Sequence, residues 1–220
     1  MPMRIYLIGG APLSNDVKNP HFCLCNEFYK FSGSPPITFS FIGAASNDCA
    51  DYFEEFKNYF TNALGNKIDF YQVKMSDQKS EIIKKIKNSE MVYLGGGNTK
   101  KLLEFLKTIN FVEIVKNYSK ENVILIGNSA GAYALCNKYC RFDSLFANKE
   151  TISDINILKR SLNYEHAEGL GLIPITLNCH ANAFTRKILK NLAGEFKDED
   201  LRILSEADFL RYSYSTQNFY

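Results

Sequence analysis

The chain has 220 residues, 45% of them hydrophobic and 23% charged, with a net charge of +2. That is enough sequence for one sizeable core, and so small a charge gives no electrostatic case for a nucleic-acid or membrane partner. No apolar run approaches the roughly 18 residues of a membrane span, and the first ten residues lack the apolar stretch of an export signal, so a cytoplasmic protein is expected.

Arg4 to Ile8 reads as a first strand running into Gly9-Gly10. Residues 11–36 hold Pro12, Pro20, Pro35, Pro36 and Gly33, and read as loop with a short helix near Glu27 to Tyr29. His21 in this stretch is expected to be a surface or loop histidine rather than a catalytic one. Ile37 to Ile42 is a second strand. From Ser46 to Ala63 the apolar residues Tyr52, Phe53, Phe56, Tyr59, Phe60 and Ala63 fall on one helical face. Asn47 or Asp48 is the expected cap of that helix, and Gly65 ends it. Ile68 to Val73 is a third strand, and residues 78–88 form a helix packed through Ile82, Ile83 and Ile86. Met91 to Leu94 is a fourth strand, followed by Gly95-Gly96-Gly97-Asn98-Thr99 and two further helices.

The stretch Val123 to Tyr133 organises the rest. Val123 to Ile126 is a β-branched run that reads as a buried strand. Gly127-Asn128-Ser129-Ala130-Gly131 fits the G-x-S-x-G nucleophile elbow, and a helix through Ala132 to Leu135 follows. A bare G-x-S-x-G also arises as a small-residue corner without chemistry. Here strand and helix stand on the required sides of it. Strand and helix alternate throughout this half, which predicts an α/β fold with a mostly parallel central sheet and helices on both faces. Ligands of such sheets sit at the carboxyl ends of the strands, where both glycine corners, 95–97 and 127–131, can meet.

Residues 137–168 read as polar and irregular. Leu172 to Asn178 is a further strand ending at Cys179-His180, with a helix near Phe184 to Leu192 and another near Asp198 to Leu210. The last eight residues read as loosely structured. The six cysteines are expected to be reduced thiols. Neither Cys23-x-Cys25 nor Cys136-x₃-Cys140 has zinc-ligand spacing, and no histidine pair completes a set, so no metal or cofactor is expected.

A serine hydroxyl needs a base to take its proton. Of the three histidines, His180 alone follows a predicted strand at the edge that carries Ser129. A carboxylate between Ser129 and His180 would complete the order Ser, acid, His; Asp143, Glu150, Asp154, Glu165 and Glu168 all qualify. The N–H of Ala130 and the Gly96-Gly97 corner are candidate donors to a developing oxyanion. The spaced glycines and the Lys-Ser/Thr of phosphate-binding loops are absent.

Three motifs in order, Leu94-Gly-Gly-Gly-Asn-Thr99, Gly127-Asn-Ser-Ala-Gly-Ala132 and Gly169-Leu-Gly-Leu-Ile173 leading to Asn178-Cys-His180, resemble the peptidase E and cyanophycinase group of serine peptidases. The resemblance spans about residues 4–190. It implies a three-layer sandwich related to class I glutamine amidotransferases, in one domain over residues 1–220. It implies Ser129 as nucleophile, His180 as base, Asp143 as acid, Gly97 and Ala130 as oxyanion donors, and Asn98 lining the substrate site beside Gly96. The implied substrates are small N-terminal-aspartyl or β-aspartyl peptides, with Arg186 a candidate for a substrate carboxylate or a surface residue. Cys179 stands where the group usually has proline, and the last 40 residues lack its usual further strands and acidic signature. A homodimer covering that edge and a diverged C-terminus are the two readings, the second consistent with a binding protein that has lost turnover.

Overall fold

The computed structural model describes residues 3–14, 16, 18–31, 37–65, 68–117, 123–142, 164–214 and 216–219. Strands β1 (Arg4–Ile8), β2 (Ile37–Ile42), β3 (Ile68–Val73), β4 (Met91–Leu94) and β5 (Ile124–Asn128) alternate with helices. These are α1 (Pro20–Phe31), α2 (Ala50–Leu64), α3 (Lys79–Asn88), α4 (Thr99–Thr108) and α5 (Phe111–Lys116). Helix α6 (Ala130–Leu135) leaves the elbow directly. Then come β6 (Cys136–Arg141), β7 (Glu165–Glu168), β8 (Ile173–Asn178), α7 (Ala183–Asn191), β9 (Leu201–Ile203), β10 (Phe209–Ser213) and β11 (Asn218–Phe219).

The main sheet has the order β11-β10-β1-β5-β4-β2-β3. Its five strands from β1 to β3 are parallel, while β10 and β11 add an antiparallel edge. This is the expected α/β class. Alternate side chains of a strand face opposite sides, and here the two sides differ in chemistry. Tyr6, Phe39, Phe41 and Tyr93 face α1 and α2 and meet Phe56 and Phe60. Phe39 and Phe41 each lie 4.8 Å, ring to ring, from Phe56; such pairs contribute about 0.5–1.5 kcal/mol beyond the area they bury. The other side is aliphatic, with Leu7, Leu94 and Leu125 packed against α3 to α6. A second sheet, β7-β6-β8-β9, extends that aliphatic core through Ile173, Ile175 and Leu177. Helix α7 covers its far face through Ile188 and Leu189.

Five expectations change. Residues 20–31, read mostly as loop, are helical. Pro20 takes the first helical position, where its missing N–H costs nothing, and Asn19 Oδ1 caps the helix by accepting from His21 N at 2.9 Å. Neither Asn47 nor Asp48 caps α2. Both are left-handed, at φ 58° and 55°, and Asp48 Oδ2 instead accepts from Met75 N at 2.7 Å. Residues 137–168 are not irregular at their ends, because β6 and β7 pair antiparallel.

The largest change is at the C-terminus. Residues 198–210, read as helix, instead hold β9 beside β8 and the start of β10 beside β1. Pairing with strands far away in sequence overrides local propensity there. The tail pairs as well, with Tyr212 opposite Phe219. Among the described residues no helix is long and apolar enough to cross a membrane.

Candidate active site

Ser129 stands between β5 and α6 at φ 51°, ψ −107°. A side chain at positive φ outside the left-handed well is strained by about 1–3 kcal/mol. Packing holds it there. A Cβ on Gly131 would strike the Leu94 carbonyl, so only glycine lets α6 start this close to β4.

Three backbone hydrogen bonds hang the site from the end of β1. Ile8 O accepts from Ser129 N at 3.0 Å, Gly9 O accepts from His180 N at 2.9 Å, and Gly9 N donates to Asp208 O at 3.1 Å. Gly10, at φ +113°, lies under the His180 ring, and a Cβ there would overlap the imidazole. The segment Ile8-Gly9-Gly10 thus positions the elbow, the histidine and the turn after β9 together.

Ser129 Oγ lies 2.8 Å from His180 Nε2. On the other side of the ring, His180 Nδ1 lies 3.0 Å from Glu206 Oε1. A carboxylate only accepts, so Nδ1 carries the proton toward Glu206 and Nε2 offers its lone pair to the serine hydroxyl. That is the direction a general base requires. The His180 and Glu206 side chains are 45% and 63% exposed. Water screens such a pair, so Glu206 acts on the ring's orientation more than through Coulomb attraction.

Glu206 sits in the turn Ser205-Glu206-Ala207-Asp208. Asp208 N donates to Ser205 O at 3.1 Å, and Asp208 Oδ2 accepts from Ser205 N and Oγ, both at 2.8 Å. Sequence reasoning missed Glu206 because it read this stretch as helix. The only local signal is a Ser-x-x-Asp turn between two short apolar stretches that lack a clean alternation.

Of the expected acids, Asp143, Glu150 and Asp154 lie outside the described residues. Glu165 is engaged elsewhere, by Arg141 at 2.5 Å, Tyr139 at 3.2 Å and Lys100 at 3.3 Å. Glu168 pairs across the strands with Lys138. His21, expected as a surface or loop histidine, is fully buried, and burial lowers its pKa to about 3. His166 lies 3.2 Å from Glu199 in the second sheet.

The two glycine corners meet as expected. A Cβ on Gly96 would stand 3.6 Å from that of Ser129. Gly96 N donates to Tyr52 Oη at 3.4 Å. Gly97, at φ +132°, is exposed beside it, and a Cβ there would meet the Ala45 carbonyl. Asn98 is the N-cap of α4, with Oδ1 accepting from Lys101 N at 3.0 Å. Its carboxamide oxygen is therefore committed, and its amide NH₂ is the part left to meet a ligand. Ala130 is buried at the first position of α6, where a helix has free N–H groups. Arg186 on α7 reaches Asp208 Oδ2 through Nη2 at 3.3 Å.

A serine raised on a strand–helix corner of a parallel sheet, with histidine and carboxylate in series behind it, belongs to the α/β hydrolytic enzymes that use a nucleophile elbow. The model of peptidase family S51 matches residues 5–216, and the chain belongs to that family of serine peptidases. It is 26% identical over 203 residues to a peptidase E from Nostoc sp. (strain PCC 7120), across 91% of this chain and 74% of that protein. Two solved structures share the fold. A protein named as a peptidase E from Listeria monocytogenes EGD-e superposes with a TM-score of 0.61 at 18% identity, over 97% of this chain and 95% of that one. A peptidase from an acI-B1 Actinobacterium gives a TM-score of 0.61 at 19% identity, over 97% and 84%.

Proposed function

We propose that the chain hydrolyses small peptides carrying an N-terminal aspartyl or β-aspartyl residue, with Ser129 as nucleophile, His180 as base and Glu206 as the carboxylate that orients it. The observation that carries this reading is the unbroken series from Ser129 Oγ through both His180 ring nitrogens to Glu206. His180 Nε2 takes the hydroxyl proton as Oγ attacks the scissile carbonyl. The same proton then goes to the departing amine, and water resolves the acyl-enzyme by the reverse route. The N–H groups of Gly97 and Ala130 face the developing oxyanion. Gly96 is excluded as a donor because Tyr52 already accepts its N–H. The Arg186 guanidinium has five donors and spends one of those on Asp208, which leaves a fork for the substrate carboxylate.

The test is a panel of α-Asp-X, β-Asp-X and neutral-X dipeptides, with wild type beside Ser129→Ala. Cleavage confined to the aspartyl classes and absent in Ser129→Ala is the expected result. A wild type that cleaves none but binds an aspartyl peptide would replace the enzyme by a binding protein on the same fold.

A further inference from the structure

One buried side chain beside the nucleophile has no part in the reaction as described. Asn128 is the last residue of β5 and is buried. The parallel ladder between β1 and β5 ends at its level, with Ile8 beside Asn128. Past that point the Asn128 side chain takes over from the main chain. Its Nδ2 donates to Ala11 O at 3.1 Å, three residues beyond the end of β1. A carbonyl oxygen only accepts, so the amide nitrogen must be the atom that faces it. Ala11 is buried as well, where a carbonyl without a partner is costly. Asn128 Oδ1, by contrast, is buried with no hydrogen-bond partner among the described residues. A leucine of similar shape would avoid that cost. What the amide supplies and leucine lacks is the donor to Ala11.

Residues 8–11 are therefore a strap fastened to the elbow at both ends. Ser129 N donates to Ile8 O at 3.0 Å, and Asn128 Nδ2 donates to Ala11 O. The rest of the site hangs from the middle of the strap. Gly9 O accepts from His180 N at 2.9 Å, and Gly9 N donates to Asp208 O at 3.1 Å. The His180 ring lies against Gly10, with no room for a Cβ between them. Two glycines in four residues give the strap little stiffness of its own, so its path depends on how its ends are held.

We propose that Asn128 is a positioning residue for the reaction. By holding Ala11 it fixes the path of Gly9-Gly10, and so the place of the His180 ring against Ser129 Oγ. The inference rests on the reading of Ser129 as nucleophile and His180 as base. A group that sets the distance between base and nucleophile acts on the chemical step, so its loss lowers kcat and leaves KM in place.

The test uses Asn128→Leu, which keeps the bulk and removes the donor. Asn128→Ala, which cannot overfill the site, is the second variant if leucine folds poorly. Ser40→Ala is the control. Ser40 is buried on β2 in the same sheet, and its hydroxyl is hydrogen-bonded to Ser89 Oγ at 2.7 Å, so its loss removes a buried polar contact away from the strap. Two readouts are taken: ¹⁵N–¹H amide shifts, and kcat and KM on the peptide that the panel identifies. Both Asn128 variants should shift the amides of Gly9, Gly10, Ala11 and His180. Both should lower kcat by about 10-fold to 100-fold with KM within about twofold, the size of effect a misplaced group produces. Ser40→Ala should do neither. Shifts that stop at Ala11 without reaching Gly10 and His180, an unchanged kcat in an active enzyme, or an equal loss of kcat in Ser40→Ala would each overturn the proposal. If the wild type turns over nothing, the reading of Ser129 fails separately, and the amide shifts alone decide whether Asn128 holds the strap.

Discussion

The elbow and the acid turn are built in opposite ways. Ser129 is placed by one contiguous stretch: β5, a corner closed by Gly127 and Gly131, and α6, all buried. Glu206 is placed by a short exposed turn closed by its own Ser205–Asp208 hydrogen bonds and tied to Gly9 near one end of the chain and to Arg186 on α7. The first is rigid because the strand and the helix on either side of Ser129 are buried. The second is ordered by a few hydrogen bonds in water, each contributing about 1 kcal/mol. A nucleophile has to be strained and fixed, which takes a core. An orienting carboxylate has only to hold one N–H, which a turn can do.

The sharpest way to break this comparison is to test the acid. Glu206→Gln keeps the turn and its shape but removes the charge and lets the amide meet His180 as a donor. The expected result is a kcat lower by at least about 100-fold, since the wrong tautomer of the base costs that much or more. Asp143→Asn should change kcat by less than about twofold. Circular dichroism should match wild type for both. The opposite ranking would return the acid role to Asp143 and make Glu206 a surface residue.

The same contrast explains what was legible in the sequence. The elbow was readable because strand, glycine corner and helix are adjacent, so period and turn chemistry are both local. The aromatic face of α2 was readable for the same reason. His180 could be chosen because it ends a recognisable strand. Glu206 could not be reached, because its place depends on β9 pairing with β8 and β10 pairing with β1, and neither partner is near in sequence. His21 failed differently. Proline density around it suggested a loop, whereas Pro20 starts a helix and its neighbour turns inward to Tyr93. A buried histidine and a surface one look alike until the partner 72 residues away is known.

The buried side carries its own acid sensitivity, the next largest effect. Burial lowers the pKa of His21 from 6.5 to about 3. Below the unfolded value the unfolded chain takes up a proton that the native state refuses. Stability from this group is therefore complete above pH 6.5 and falls toward pH 3, by about 1.4 kcal/mol for each pH unit. Asp77, Glu165 and Glu199 act lower on the scale. Burial alone would raise these carboxyls, but hydrogen bonds to Lys85, Arg141 and Lys138 outweigh it and hold them below their ordinary range. Their contribution is present above that range and lost as pH falls through it, which leaves pH 6.5 to 5 as the window for His21. Urea unfolding across that window should show a falling midpoint in wild type and a nearly flat one in His21→Gln. A slope that persists in the variant would assign the sensitivity elsewhere.

The smallest effect concerns a buried link on the histidine side. Cys179 stands where the family resemblance leads one to expect proline, and its N–H donates to Tyr133 Oη at 2.9 Å. Proline has no N–H, so the two residues are matched: the tyrosine oxygen accepts a hydrogen bond that a proline could not donate. Burial pushes the Cys179 thiol upward, so it has no share in the chemistry, and the backbone is what the position contributes. Cys179→Pro should cost about 1 kcal/mol, one neutral hydrogen bond, and lower Tm by about 2–4 °C in a chain of this length. kcat should stay within about threefold, because His180 is still hung from Gly9. Tyr133→Phe alone strands a buried N–H and should cost more, about 1–3 kcal/mol. In the Cys179→Pro background no N–H remains to strand, so the second substitution should cost clearly less than it does alone. Additive losses in this cycle would mean that the pair is not coupled and that proline is absent here for some other reason.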